Sequence, residues 1–320
     1  MVKQWRRWLG LADAGLPSSA LGGPASPTSS LRQQDEATIL ASRYRLDRLL
    51  GRGAAGEVRL ATDLQTGSLV AVKLFSSPER TRPVADSHLA RELLASRRLR
   101  HPGIAAVLDA GQTGAVAWLV MEYVSGTPLS RYTQASRLLP EALVLRLGAR
   151  MAEALGHAHA QHIVHRDLKP GNVLVDLASA KVKLLDFGVA RIDDGQATRT
   201  GMTLGTPAYM APEQLAGHPV SPASDVYALG VMLFELLTGR RPHEGASMGE
   251  LLRAVASTPP ADLARLRPDL PAEVCSVVQQ LLATAPDRRP ADLDDLARRL
   301  DVLATQLEIA AKHRQVEGPA

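Results

Sequence analysis

The stretch His165-Arg166-Asp167-Leu168-Lys169-Pro170-Gly171-Asn172 constrains this chain more than any other. It puts a carboxylate, an ammonium and a carboxamide within a few positions of one another. Pro170 and Gly171 oppose continuation as a helix. The apolar runs Ile163-Val164 and Val173-Leu174-Val175 flank it, so a polar loop is expected between two buried pieces. Beyond a predicted strand, Val182-Lys183-Leu184-Leu185, comes Asp186-Phe187-Gly188. An Asp that accepts a hydroxyl proton, a Lys for phosphate charge, and an Asn and an Asp to hold a divalent cation make a set suited to phosphoryl transfer.

The chain has 320 residues, enough for a two-lobed domain and a tail. It is 45% hydrophobic and only 3% aromatic, so aliphatic packing dominates the expected core. A net charge of +4 is a mild basic excess and not a nucleic-acid footprint. The single Cys275 excludes an intrachain disulfide framework and suits a reducing compartment. No apolar run is long enough to predict a transmembrane helix. Residues 1–43 read as a tail, because Pro17 to Ser30 is rich in Pro, Ser, Gly and Ala. Trp5-Arg6-Arg7-Trp8-Leu9 lies before it. Two readings stay open for this tail: a disordered leader, or a segment docking on a partner or at a membrane surface. An export signal is rejected, since the residues after the paired arginines include Asp13 and are weakly apolar.

Gly51-Arg52-Gly53-Ala54-Ala55-Gly56-Glu57-Val58 would let backbone N–H groups approach phosphate oxygens. Alone, that pattern equally describes a structural hairpin. Here it runs into Arg59-Leu60-Ala61, a turn at Gly67 and Val70-Ala71-Val72-Lys73, which reads as strand, turn, strand. A dinucleotide site would require a helix directly after the glycines. Residues 86–100 are expected as a helix, closed by His101-Pro102-Gly103. Val116 to Val124 reads as a strand, and 140–160 as an Ala/Leu-rich helix. Ser224 to Leu237 is apolar all round, the signature of a buried helix, with Asp225 placed to cap its first turn. Leu293, Leu296, Leu300, Leu303 and Leu307 repeat at heptad spacing. They fit a final helix packed on the larger lobe, or weak self-association through its exposed end.

In this order, from about residue 44 to about residue 300, the motifs resemble those of the eukaryotic-type (Hanks-type) protein kinases, and among them the bacterial Ser/Thr kinases. The resemblance implies an α+β, bilobal fold: a small antiparallel β lobe with one helix over residues 44–124, and a mostly helical lobe over 125–300. A C-terminal extension over 301–320 would come after it. The resemblance also implies roles. Asp167 would be the catalytic acid/base and Lys169 would offset phosphoryl charge. Lys73 would anchor the phosphates and pair with Glu92. Asn172 and Asp186 would hold Mg²⁺, with Mn²⁺ as the alternative. ATP would lie against Gly51, Arg52, Gly53, Ala54, Ala55, Gly56, Val58, Ala71 and Leu174. Backbone groups of Glu122 and Val124 would bond adenine, with Met121 guarding the back of the pocket. Gly205-Thr206-Pro207 to Ala211-Pro212-Glu213 resembles the end of an activation segment, and Arg289 the structural partner of Glu213. Asp225 matches an aspartate that anchors the catalytic loop. Thr198 and Thr200 lie at the family's autophosphorylation spacing, and Arg166, Arg191 and His88 would form the pocket for their phosphates. The chain departs from the family at Ser96, where an apolar residue usually packs toward the Phe of Asp-Phe-Gly.

Expected from this are ATP-dependent transfer to protein Ser or Thr hydroxyls, self-modification, and a cytoplasmic enzyme, with peripheral membrane association through the tail as the variant. Two rival functions compete with it. A pseudokinase scaffold is opposed by the intact Lys73, Asp167, Lys169, Asn172 and Asp186. A small-molecule kinase is opposed by the segment at 205–213.

Overall fold

In the computed structural model, which describes residues 38–53, 56–75, 97–113, 116–187 and 207–316, the first part of the chain is an antiparallel sheet. Its strands are β1 (Ile39–Leu40), β2 (Tyr44–Gly53), β3 (Gly56–Asp63), β4 (Leu69–Phe75), β5 (Val107–Thr113) and β6 (Val116–Glu122). Their spatial order is β1-β2-β3-β4-β6-β5. Side chains alternate across the sheet. Val70 and Val72 pack with Tyr44, Trp118 and Val120 on one face. Ala71, Val58, Leu119 and Met121 face the other way, where Leu174 and Leu185 from much later in the chain complete the cluster.

A second sheet joins β7 (Thr127–Pro128), β8 (Val173–Asp176) and β9 (Lys181–Leu184). The larger lobe contains α1 (Glu141–Ala160), α2 (Pro212–Leu215), α3 (Pro222–Thr238), α4 (Met248–Ser257), α5 (Leu263–Leu266), α6 (Ala272–Leu281) and α7 (Leu293–Val316). Every residue of α3 from Ser224 to Leu237 is buried. It stops at Gly239, whose φ of 73° and close approach to Ala135 leave no room for a Cβ. The heptad leucines of α7 lie against α1: Leu293, Leu296, Leu300 and Leu303 are buried. Gly148 of α1 admits Leu233 of α3 and Leu300 of α7. Arg146 grips Glu308 with two bonds of 2.9 and 2.8 Å, and Arg150 pairs with Asp301.

The bilobal α+β expectation holds, and several boundaries move. Ile39 and Leu40 pair with Arg45 and Tyr44, so ordered structure begins inside the expected tail. A two-residue strand leaves no periodic signal. Residues 97–100 are turn and coil, not the end of a helix. Pro102 disfavours helical backbone before it, and the turn delivers Leu99 to the core of the larger lobe. Strand β9 ends at Leu184, because the Leu185 N–H donates to the Asn172 carbonyl at 2.9 Å. Helix α7 crosses residue 300 without a break.

Candidate active site

Helix α1 ends at Ala160, where the polar loop begins. It hangs from α3. The Asp225 carboxylate accepts the N–H of His165 at 2.8 Å, the N–H of Arg166 at 3.0 Å, and meets His159 Nε2 at 2.8 Å. The local pattern suggested that Asp225 would cap its own helix, while the resemblance implied that it anchors the catalytic loop. It anchors the loop, and the start of α3 is tied by the Ser221 N–H donating to Ser224 Oγ at 3.3 Å. Arg166 has a φ of 71°, a left-handed backbone that costs a non-glycine residue about 1–3 kcal/mol. The bonds to Asp225 hold it there. The buried His165 ring lies 4.6 Å from the Phe187 ring, centroid to centroid.

Downstream, Asn172 Nδ2 donates to the Asp167 carbonyl at 2.8 Å and to Asp167 Oδ2 at 3.1 Å. Lys169 Nζ is 2.7 Å from the same carboxylate oxygen. Pro170–Asn172 forms one 3-10 turn. Asp167, Lys169 and Asn172 are thus locked into one constellation. Asp186 comes after β9 with a φ of 61°, and its Oδ2 takes Lys73 Nζ at 2.9 Å. Lys73 was expected on Glu92. Glu92, His88 and Ser96 lie outside the described residues, as do Ala54, Ala55, Arg191, Thr198, Thr200 and Thr206.

The far end of the site is apolar. Val58, Ala71, Met121 and Leu174 belong to one buried cluster, and Val124 packs against it. The Gly-rich hairpin brings Gly51 opposite Val58, Arg52 opposite Glu57, and Gly53 opposite Gly56. Gly56 has a φ of 132°, and a Cβ there would sit 1.9 Å from the Leu74 carbonyl oxygen, so only glycine fits. Glu122 carries more than its backbone. Its Oε2 accepts from Lys183 Nζ at 2.7 Å and from the Ala106 N–H at 3.2 Å.

Beside the loop, toward Tyr209, Met210 and Gln214, a small open cleft lies next to Asp167. The wall behind it is braced by Arg289. Its guanidinium grips Glu213 at 2.7 and 2.9 Å and also donates to the carbonyls of Ala283, Thr284 and Ala223. Burial pushes the Glu213 carboxyl up, but those bonds win and hold it below the usual glutamate value. Tyr209 O–H donates to Glu235 at 2.6 Å, and burial of Glu235 raises its carboxyl.

The residues fit a hard cation. Asp186 Oδ1 is buried and accepts no hydrogen bond among the described residues. With the Asn172 amide nitrogen committed to Asp167, its carbonyl oxygen is the end left to coordinate. Two such oxygen donors would suit a hard divalent cation.

Sequence reasoning missed His159, Lys183, Tyr209 and Glu235. For His159 a signal existed: it follows Leu155 and Ala158 on the buried side of an apolar helix. The others depend on side-chain contacts with residues 26 or more positions away in the chain, which no local pattern reveals.

The protein kinase domain family matches residues 44–299. The chain belongs to the protein kinase family. Its kinase domain is 39% identical over 257 residues to the serine/threonine-protein kinase PknA of Mycobacterium tuberculosis, covering 78% of this chain and 58% of that protein. It is 36% identical over 291 residues to PkaA of Streptomyces coelicolor, covering 87% of this chain and 53% of that one. With RqkA of Deinococcus radiodurans, a DNA damage-responsive serine/threonine-protein kinase, identity is 40% over 275 residues, covering 82% and 40%. The chain therefore spans about half the length of these curated relatives. The crystal structure of the PknI kinase domain (C20A mutant) of M. tuberculosis superposes with a TM-score of 0.66 at 30% identity, covering 84% of this chain and 98% of that one. These likenesses make the kinase domain one of the bacterial Ser/Thr type. No helix among the described residues is long and apolar enough to cross a membrane.

Proposed function

We propose that this kinase domain transfers the γ-phosphoryl group of ATP to Ser and Thr hydroxyls of proteins, itself included, in the cytoplasm where ATP is supplied. The observation that carries the reading is the locked constellation of Asp167, Lys169 and Asn172 beside an Asp186 that faces Lys73. Transfer of this kind needs positioning and charge neutralisation more than covalent chemistry. Asp167 orients the acceptor hydroxyl and takes its proton. Lys169 offsets charge on the moving phosphoryl, and a lysine at this position favours Ser/Thr over Tyr acceptors. Lys73 steadies the α- and β-phosphates, and Glu92 would draw it into register. Asn172 and Asp186 would hold Mg²⁺, or Mn²⁺ in its place, which when bound would neutralise phosphate charge. The backbone of Glu122 and Val124 bonds adenine, while Val58, Ala71, Met121 and Leu174 enclose its faces. The glycines at 51, 53 and 56, with Arg52, Ala54 and Ala55, cover the phosphates.

Asp167→Asn should abolish transfer from radiolabelled ATP while ATP affinity stays within about threefold, since Asp167 meets the acceptor and not the nucleotide. An equal loss of affinity and turnover would remove Asp167 from that role.

Regulation obeys the same chemistry. Phosphates on Thr198 and Thr200 add about −1.5 to −2 charges each and call for a cationic pocket, for which Arg166, Arg191 and His88 are the candidates. The strained Arg166, pinned by Asp225, supports this reading: its backbone is already fixed, so pairing adds no backbone ordering cost. After incubation with Mg-ATP, mass spectrometry should find both threonines modified, and the Thr198→Ala, Thr200→Ala double variant should be poorly active toward an added substrate. Wild-type rates in that variant refute the switch.

A further inference from the structure

The ATP-binding reading above leaves one ionic contact unused. Lys183 sits on β9 between the buried Val182 and Leu184, so its own side chain starts from the solvent side of the strand. It does not extend into water. Its Nζ donates to Glu122 Oε2 at 2.7 Å and to the Ile104 carbonyl at 3.2 Å. The same Glu122 oxygen accepts the Ala106 N–H at 3.2 Å, and the Glu122 N–H donates to the Ala106 carbonyl at 2.8 Å. The loop 103–106 is also laced to β9: Leu184 N–H donates to Gly103 at 2.8 Å, and Ala105 N–H to Leu184 at 2.9 Å. Three segments thus meet at one ammonium. They are the end of β6 where the chain crosses between lobes, the loop before β5, and the strand that delivers Asp186 three residues later.

We propose that Lys183 and the Glu122 side chain form a positioning pair that sets the spacing between the adenine end and the metal end of the nucleotide site. The inference rests on the ATP-dependent reading. Glu122 fixes the backbone that would bond adenine. Lys183 fixes the strand that carries Asp186. A nucleotide must engage both ends at once, so a loosened strut makes the bound geometry costlier to reach without altering the groups that carry out transfer. Both side chains are partly exposed, at 24% and 36%, so the pair does little for the stability of the fold.

The test is Lys183→Met, which keeps the stem and removes the ammonium, beside Lys183→Arg, which keeps the charge, and Glu122→Gln. KM for ATP and kcat are measured with saturating protein acceptor, and ATP dissociation constants by titration. An exposed ion pair of ordinary strength predicts a KM and Kd raised about two- to fivefold in Lys183→Met and Glu122→Gln, with kcat of Lys183→Met within about twofold. Lys183→Arg should recover most of the loss. Unchanged nucleotide affinity, a fall in kcat at constant KM, or a rise in kcat overturns the proposal. If Lys183→Met fails to fold, the Arg and Gln variants decide it by the same criteria. A wild-type protein that binds ATP but transfers nothing would defeat the kinase reading alone, and the Kd comparison would still judge the strut.

Discussion

At the scale of single residues, the polar groups that matter most are those whose every bond is used. All five N–H groups of Arg289 are satisfied, two by Glu213 and three by carbonyls, and its side chain has no solvent exposure. Because Glu213 titrates lower in the folded chain than in the unfolded one, the unfolded state binds the proton more readily. Its stabilisation is therefore complete above the ordinary value of about 4.3 and drains away as pH falls through the depressed one. Arg289→Met leaves a buried carboxylate alone, at a cost of about 3–5 kcal/mol at pH 7. In that variant burial is opposed only by the Ser224 hydroxyl and a backbone hydrogen bond, so the carboxyl rises from its depressed value and acid relieves part of the penalty. Urea midpoints should show a larger deficit at pH 7 than at pH 4.5. Equal deficits would mean that Glu213 is not the group left stranded.

At the scale of elements, the Gly-rich hairpin separates backbone necessity from mere flexibility. Gly56→Ala should cost more than about 2 kcal/mol, since a Cβ meets the Leu74 carbonyl at 1.9 Å and the φ of 132° is hostile to it. Gly67→Ala has open space around it and strain alone, so its cost should stay near about 1 kcal/mol. Thermal denaturation orders the two, and the reverse order would discredit the hairpin geometry. Elements of this kind were legible in the sequence. A turn signal at Gly67 between two strand-like runs announced β3 and β4, and unbroken apolarity announced α3. The loop 165–172 was legible because three polar residue types fell between two apolar runs. What stayed hidden was how elements meet. Nothing local tells Asp225 to turn from its own helix toward His165 and Arg166, 60 and 59 positions earlier, and only the family resemblance pointed there. Nor does the 86–100 periodicity reveal that Leu99 enters the core from a turn, because a buried leucine reads alike in either setting. Lys73 illustrates the same limit: its identity marks it as an anchor, but one carboxylate it meets, Asp186, lies 113 positions on.

At the scale of the whole molecule, α7 acts as a splint along α1, and its buried seam should dominate its outer face. Leu300 is fully buried and touches Gly148 of α1, so Leu300→Ala should cost about 2–5 kcal/mol. Val302, 56% exposed on the other side, should give within about 0.5 kcal/mol on the same substitution. Calorimetric unfolding compares them directly, and a small Leu300 effect would mean that the helix is dispensable to the lobe. The two lobes also share material. The underside of the first sheet is finished by Leu174 and Leu185, supplied by the far side of the chain. Synthesis runs from the N-terminus at about 5–20 residues per second, so β4 leaves the ribosome several seconds before those leucines exist. During that interval Val58, Ala71, Leu119 and Met121 lack their lid, and the nascent first lobe presents an apolar surface that a chaperone or another nascent chain can reach. This apolar face is thus uncovered for the length of one translation delay.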